Sequence, residues 1–116
     1  MPAYGLAHLR PPSVLHDEVY QYLERIQATL DPFGGKFLVH GTQVEVLEGA
    51  WPGTLVLIEF PSIEAARDWY ASPAYQEILR LRADHIPGDL ILADGCGPDH
   101  DSAAMAAQMR AAARDA

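Results

Sequence analysis

From residue 3 to residue 9 the chain alternates small side chains (Ala3, Gly5, Ala7) with larger ones (Tyr4, Leu6, His8), a period of two that predicts a strand whose faces meet different neighbours. The small-residue face invites a helix to pack closely. Pro11-Pro12-Ser13 ends this strand. Ser13 is the expected cap of a helix whose early turns carry Asp17 and Glu18, where the positive end of the dipole favours acids. Leu15, Val19, Tyr22, Leu23, Ile26 and Leu30 then recur at helical spacing as one apolar stripe, closed by Asp31-Pro32. Gly34-Gly35 turns the chain into a second strand over residues 36–40, in which plain alternation groups His40 with Leu38. Gly41-Thr42 permits a bend before residues 44–47, which read either as the continuation of one bulged strand or as the return of a hairpin.

After the turn at Trp51-Pro52-Gly53, residues 54–60 form an almost unbroken apolar run suited to a central strand. Ser62 is placed to cap a helix to about Tyr70, with Glu64 in its first turn, and Ser72-Pro73 restarts a helix because proline is tolerated at the first helical position. Tyr75, Ile78, Leu79 and Arg82 share a face of that second piece, and residues 88–93 are the last strand. The order β-α-β(β)-β-α-β predicts an α+β fold, a ferredoxin-like sandwich with an antiparallel sheet and two helices on one face. The other sheet face has no cover within one chain. A homodimer joined through the two sheet faces is therefore the expected assembly, with the chain itself as partner. This domain is expected to span residues 1–97, followed by an Ala-rich tail over 98–116. Met105, Met109 and Ala112 of the tail either form a weak apolar stripe that docks on the partner subunit or belong to a frayed end.

Composition narrows the class. A chain of 116 residues that is 49% hydrophobic and 21% charged suits one ordinary globular domain. The net charge of −8, from 16 acidic and 8 basic residues with no basic cluster, repels phosphate backbones and anionic surfaces, so neither nucleic acid nor membrane is an expected partner. The opening residues carry no basic segment followed by an apolar one, and no apolar run approaches the roughly 18 residues a bilayer needs, so a cytoplasmic location is expected. Cys96 is the only cysteine. Placed between Gly95 and Gly97 with nothing nearby in sequence to lower its pKa, it reads as a small strand-end residue rather than a reactive thiol.

Five segments together are more specific: Met1-Pro2-Ala3-Tyr4, Gly34-Gly35-Lys36-Phe37-Leu38-Val39, Val44-Glu45-Val46-Leu47-Glu48-Gly49-Ala50-Trp51, Ile58-Glu59-Phe60-Pro61-Ser62 and Trp69-Tyr70-Ala71-Ser72-Pro73-Ala74-Tyr75-Gln76. In this order, over about residues 1–95, they resemble the bacterial domain-of-unknown-function 1330 family. The resemblance implies the dimeric α/β-barrel superfamily, ferredoxin-like protomers paired through their sheets, which includes cofactor-free monooxygenases, lactone isomerases, dehydratase-like enzymes and haem-degrading proteins. It implies no common reaction. Two departures point to a specialised pocket: His40 stands where the family often has arginine, and His8 where it often has an acidic residue. The tail lies outside the family pattern.

Several residue types carry candidate chemistry. His8 and His40, both near strand ends, would be an acid/base pair if they shared a cavity, and are otherwise surface histidines. Glu59 lies inside an apolar strand and must face solvent or be paired; Arg82 on the inward face of the later helix is the expected counter-charge, either fixing the fold or serving as base and clamp. Trp51, Trp69, Tyr70 and Tyr75 are candidate walls of a substrate pocket, or else core and interface packing. The helix restart at Ser72-Pro73 opens an N-terminus that suits an anionic group. A metal is not expected, since His16-Asp17-Glu18 would run around a helix, and Asp94, Asp99, His100 and Asp101 lack ligand spacing. For haem the one candidate is His85.

The expectation is a cofactor-independent acid/base enzyme of isomerase, cyclase or dehydratase type acting on a small apolar carbonyl-containing metabolite. His40 or His8 would move the proton, Glu59 would assist, and Arg82 and Tyr75 would bind the developing oxyanion. The alternatives are a non-catalytic dimeric small-molecule-binding or stress-related protein, and a haem-binding protein or cofactor-free monooxygenase.

Overall fold

The structure, a computed structural model, describes residues 1–115. Its elements run in chain order β1 (Ala3–Leu9), α1 (Asp17–Leu30), a 3-10 turn (Asp31–Phe33), β2 (Lys36–Thr42), β3 (Thr54–Phe60), α2 (Ile63–Ala71), α3 (Pro73–Ala83), β4 (Gly88–Asp94) and α4 (Ser102–Asp115). The four strands make one sheet in the order β2-β3-β1-β4, every neighbouring pair antiparallel. With α1 to α3 packed on one side, this is the ferredoxin-like fold.

Alternation decides what each sheet face meets. On the helix side, Ala3, Gly5 and Ala7 of β1 and Val56, Ile58 and Phe60 of β3 are all buried. Against them pack Val19, Tyr22, Ile26 and Leu30 from α1, Ala66 and Trp69 from α2, and Tyr75, Ile78 and Leu81 from α3. Gly35 is where β2 enters under this layer. A Cβ there would sit 2.8 Å from both Leu30 Cδ2 and Phe60 Cε1, so only glycine lets the strand approach so closely.

The opposite face carries Ile91, Leu6, Leu57 and Val39 as one row across the sheet, each opposite the next in register. Among the described residues no helix or strand covers this row, and Ile91 is 55% exposed. An apolar row of this kind in mid-sheet is the part of the fold that a single chain leaves unfinished.

Three local expectations are corrected. The α1 cap is His16, not Ser13: its ring nitrogen Nδ1 accepts from the Glu18 backbone N–H, and the chain, after Pro11-Pro12 and a bend at Ser13-Val14, becomes helical only at Asp17. Residues 44–47 do not join the sheet; β2 ends at Thr42 and the chain returns to β3 through a long connection. Finally, β2 is bulged. Phe37 pairs with Ile58, Val39 with Leu57, His40 with Val56 and Thr42 with Leu55, so Leu38 and Gly41 are the extra residues. Gly41 supplies the left-handed turn, at φ 73°, that such a bulge uses.

The caps read in the middle of the chain are present as expected. Ser62 accepts from the Ala65 N–H, while the Ser72 hydroxyl accepts from the Tyr75 N–H and donates to the Trp69 carbonyl, joining α2 to α3. Beyond β4, α4 is helical, with every described residue exposed, Met105 and Met109 included. Among the described residues no helix is long and apolar enough to cross a membrane.

Candidate active site

Because the middle of β1 presents the small residues Gly5 and Ala7 to the helices, side chains do not fill the space between the sheet and α1 and α3. A cavity of about 450 Å³ remains there. Val56, Ile58, Phe37 and Leu90 join the two small residues on the sheet side, and Leu15, Val19, Leu23 and Ile26 line it from α1 and the segment before it. The polar groups on its wall are few. They are Tyr22, Tyr75, Arg82, His40 and Thr54, with Trp69 beside them, and among the described residues the lining holds no carboxylate.

Helix packing positions three of these groups. Tyr22 projects from α1 and Tyr75 from the start of α3, and their hydroxyls meet at 2.9 Å in the buried interior. Arg82, two turns along α3 from Tyr75, donates through Nη2 to the Tyr75 oxygen at 3.5 Å, and its guanidinium carbon lies 5.5 Å from the centre of the Tyr22 ring. Burial, reinforced by the neighbouring Tyr75, pushes the Tyr22 hydroxyl far above the usual phenol range, so it stays protonated and able to donate. Burial works against the charge of Arg82, and the two tyrosine oxygens more than offset it. Among the described residues Arg82 has no carboxylate partner. A cation held in a mostly apolar hollow without a counter-ion is a receptor for an anionic or strongly polarised oxygen.

His40 reaches the same cavity through the β2 bulge. Its ring stacks on Phe37 at 3.9 Å between centres, with only 2° between the planes, and burial against this ring lowers its pKa. The imidazole is thereby biased toward its neutral form, the form that accepts a proton.

Four expected site residues lie elsewhere. Glu59 and Arg82 do not pair: alternation along β3 turns Glu59 to the open sheet face, where Lys36 Nζ sits 3.3 Å from it, whereas α3 covers the other face. His8 and His40 likewise lie on opposite faces. His8 stacks on Trp51 at 4.1 Å on the open side, and its Nε2 is buried without a hydrogen-bond partner. Trp51 is therefore also outside the cavity, its Nε1 donating to the Thr54 carbonyl at 3.4 Å. Tyr70 is 39% exposed and packs on the outside of Tyr75, 5.6 Å between ring centres. Of the aromatic set, Tyr75 and Trp69 line the cavity. Trp69 is also core: its indole N–H donates to Thr29 Oγ1 at 3.0 Å.

His85, the one haem candidate, is committed to other contacts. Its Nε2 lies 2.8 Å from Glu18 Oε1 and its ring stacks on His16 at 3.9 Å. The residue that sequence reasoning missed is Tyr22. The available signal was its place within the α1 apolar stripe, where a hydroxyl needs a buried partner.

The family model described as "Domain of unknown function (DUF1330)" matches residues 2–96. The chain belongs to that family. Solved structures similar to this DUF1330 protein agree on its fold. A protein of unknown function from Rhodopseudomonas palustris is 22% identical, with 84% of each chain covered and a TM-score of 0.62. A variant of SnoaB, a cofactor-independent oxygenase from Streptomyces nogalater, is 13% identical over 86% of this chain and 98% of its own, with a TM-score of 0.57. A dimeric ferredoxin-like protein of unknown function from Thermobifida fusca is 16% identical over 82% of this chain and 92% of its own, with a TM-score of 0.55. No curated protein matches the DUF1330 chain.

Proposed function

We propose that this DUF1330 protein is a cofactor-free enzyme that binds a small, largely apolar carbonyl compound between its sheet and helices and moves a proton next to that carbonyl. The observation that carries the reading is Arg82, a cation without a counter-ion on the wall of an apolar cavity that also holds two mutually bonded tyrosines and a histidine. At about 450 Å³ the cavity lies within the range that small-molecule sites occupy, roughly 300–1,000 Å³.

In this reading the substrate oxygen sits against Arg82 and the tyrosine hydroxyls. When Tyr75, which accepts from Arg82, turns its own proton to Tyr22, the Tyr22 proton is left for the substrate. As the α-proton leaves, negative charge grows on that oxygen, where the guanidinium and the phenol stabilise it most. His40, neutral because its site is partly buried, takes the proton. The apolar lining excludes water and strengthens each of these interactions. Isomerisation, cyclisation and dehydration all begin with this step. The likeness to SnoaB, described as cofactor-independent, supports a site that works through side chains alone.

The same reading includes a homodimer closed through the Ile91-Leu6-Leu57-Val39 row, which a second copy would cover with its own identical row. The dimeric description of the Thermobifida fusca protein supports this assembly.

The test is solvent exchange. The protein is incubated in D2O with a panel of aryl ketones and β-keto acids, and loss of the α-proton signal is followed by NMR. The expected result is exchange of at least one compound above buffer, reduced by about a hundredfold or more in His40→Ala with the fold intact. Exchange that is equally fast in His40→Ala, or no exchange of a compound shown to occupy the cavity, would sink the proposal.

A further inference from the structure

At one end of the helix layer three classical donors converge from two helices. His16 caps the start of α1, Glu18 lies in its first turn, and His85 follows the end of α3. One donor atom from each falls within 4.8 Å of the other two. Sequence spacing set His16-Asp17-Glu18 around a helix and did not join His85 to them. Instead His16 precedes α1, its Nδ1 is used up accepting the Glu18 N–H at 3.1 Å, and its Nε2 is left free. The packing of α1 on α3 brings His85 from the far part of the sequence, with Nε2 at 2.8 Å from Glu18 Oε1.

We propose that His16, Glu18 and His85 form a binding site for a divalent transition cation of the zinc class, distinct from the cavity polar groups. Two imidazoles and one carboxylate are a donor set that suits zinc, with the fourth tetrahedral position left to water or ligand. The Glu18 N–H occupies Nδ1 of His16 and leaves Nε2 as the ring nitrogen for a cation, as outer hydrogen bonds do in metal sites. Bonds of about 2.0–2.2 Å require donors roughly 3.5 Å apart, somewhat closer than the present spread. The His16 and His85 rings now stack 3.9 Å apart and 8° from parallel, an arrangement in which their nitrogen lone pairs do not converge. Loading therefore means tilting one ring out of the stack. That movement is available, since His16 is exposed and His85 is only partly covered. Arg80, whose Nη1 is 3.9 Å from Glu18 Oε2, is 68% exposed and free to withdraw toward solvent.

The site also has a location with consequences. Leu15 and Val19 on one side and Arg82 and Ile86 on the other, the close sequence neighbours of the three donors, all line the cavity. A cation here would tie the start of α1 to the end of α3 at the cavity margin.

The experiment titrates the full chain with zinc chloride by calorimetry, with magnesium as the control. Expected are one zinc per chain in the micromolar range, no heat with magnesium, and a weakening of at least about tenfold in His85→Gln. His16→Asn keeps a good helix cap while deleting the metal donor, so it should lose zinc binding to a similar degree with its unfolding midpoint retained. As a readout on the unaltered protein, cobalt should broaden the NMR ring signals of His16 and His85 and spare those of His8, His40 and His100. Absence of saturable zinc binding, wild-type affinity in both variants, or broadening at the other histidines instead would overturn the assignment.

Discussion

Replacing Arg82 with methionine separates a ligand receptor from a fold-fixing charge. Methionine keeps the apolar stem and most of the volume while removing the guanidinium. In the folded chain that guanidinium has a long 3.5 Å hydrogen bond to Tyr75 and a 5.5 Å approach to the Tyr22 ring. A partly desolvated cation–π contact contributes about 0.5–2 kcal/mol, and losing it is offset by no longer burying a charge without a counter-ion. Stability should therefore change by no more than about 1 kcal/mol, read as the urea midpoint at constant slope. Binding is different. A charge-assisted hydrogen bond to a ligand carboxylate or enolate contributes about 1.5–3 kcal/mol, which is roughly a 10- to 150-fold rise in Kd. Phenylpyruvate, an aromatic keto acid, is a suitable probe, followed by quenching of the cavity-lining Trp69 or by calorimetry. An unchanged Kd would refute the receptor argument. So would a stability loss of about 3–5 kcal/mol, the size expected when a buried ion pair is broken, because it would mean that Arg82 has a partner that the geometry does not contain.

Other outcomes follow from the same geometry. Burial holds the His40 pKa below its ordinary value of 6.5, so a rate that needs the neutral ring should rise with pH through a midpoint below that value and then level off; the kcat/KM profile checks it. The same shift has a stability side. The unfolded chain takes up this proton first as pH falls, so the stabilisation from His40 is full above 6.5 and is lost as pH drops toward the folded value, which urea midpoints at about pH 7.5 and about pH 5 would read. Tyr75→Phe leaves the Tyr22 hydroxyl buried without its 2.9 Å partner and should cost about 1–2 kcal/mol. The double change with Tyr22→Phe should cost less than the sum of the singles by about 1 kcal/mol, and strict additivity in denaturation would show that the hydroxyls are not coupled. Leu57→Arg, placed in the middle of the uncovered row, should turn a dimer into a monomer by light scattering while leaving the circular dichroism of the fold unchanged.

The fold was legible because its local signals agreed with one another. The small-large alternation of β1, the Ser62 and Ser72 caps and the proline restart at Pro73 each rest on contacts within a few residues, so sequence spacing captures them. The failures share a different origin. Ser13 had the right side chain for a cap, but the chain bends at Ser13-Val14 and turns helical only at Asp17, so His16, in extended backbone, took the role with a ring nitrogen. Residues 44–47 alternate like a strand, yet β2 reaches only Thr42 and they find no partner in the sheet. Alternation is a local property, whereas a ladder needs a neighbour at the right height.

The candidate site was harder to read, because it depends on which side of the sheet each residue takes. Glu59 and Arg82 are plausible partners by charge alone, which leaves open the face of the sheet that Glu59 takes. Parity along β3 instead puts Glu59 with Lys36 on the open face. In β2 parity itself fails. Counted from Lys36, His40 belongs with Leu38 on the open side; the bulge at Leu38 inserts one residue without a partner and carries His40 across to Val56 and the cavity. A one-residue slip exchanges the faces of everything beyond it, so the identity of the base in the proposed reaction rests on that irregularity. Gly41, at φ 73° just after the histidine, marks only the second irregularity, which sets Thr42 opposite Leu55; the one at Leu38, which sets His40 opposite Val56 at the cavity wall, has no such residue to announce it.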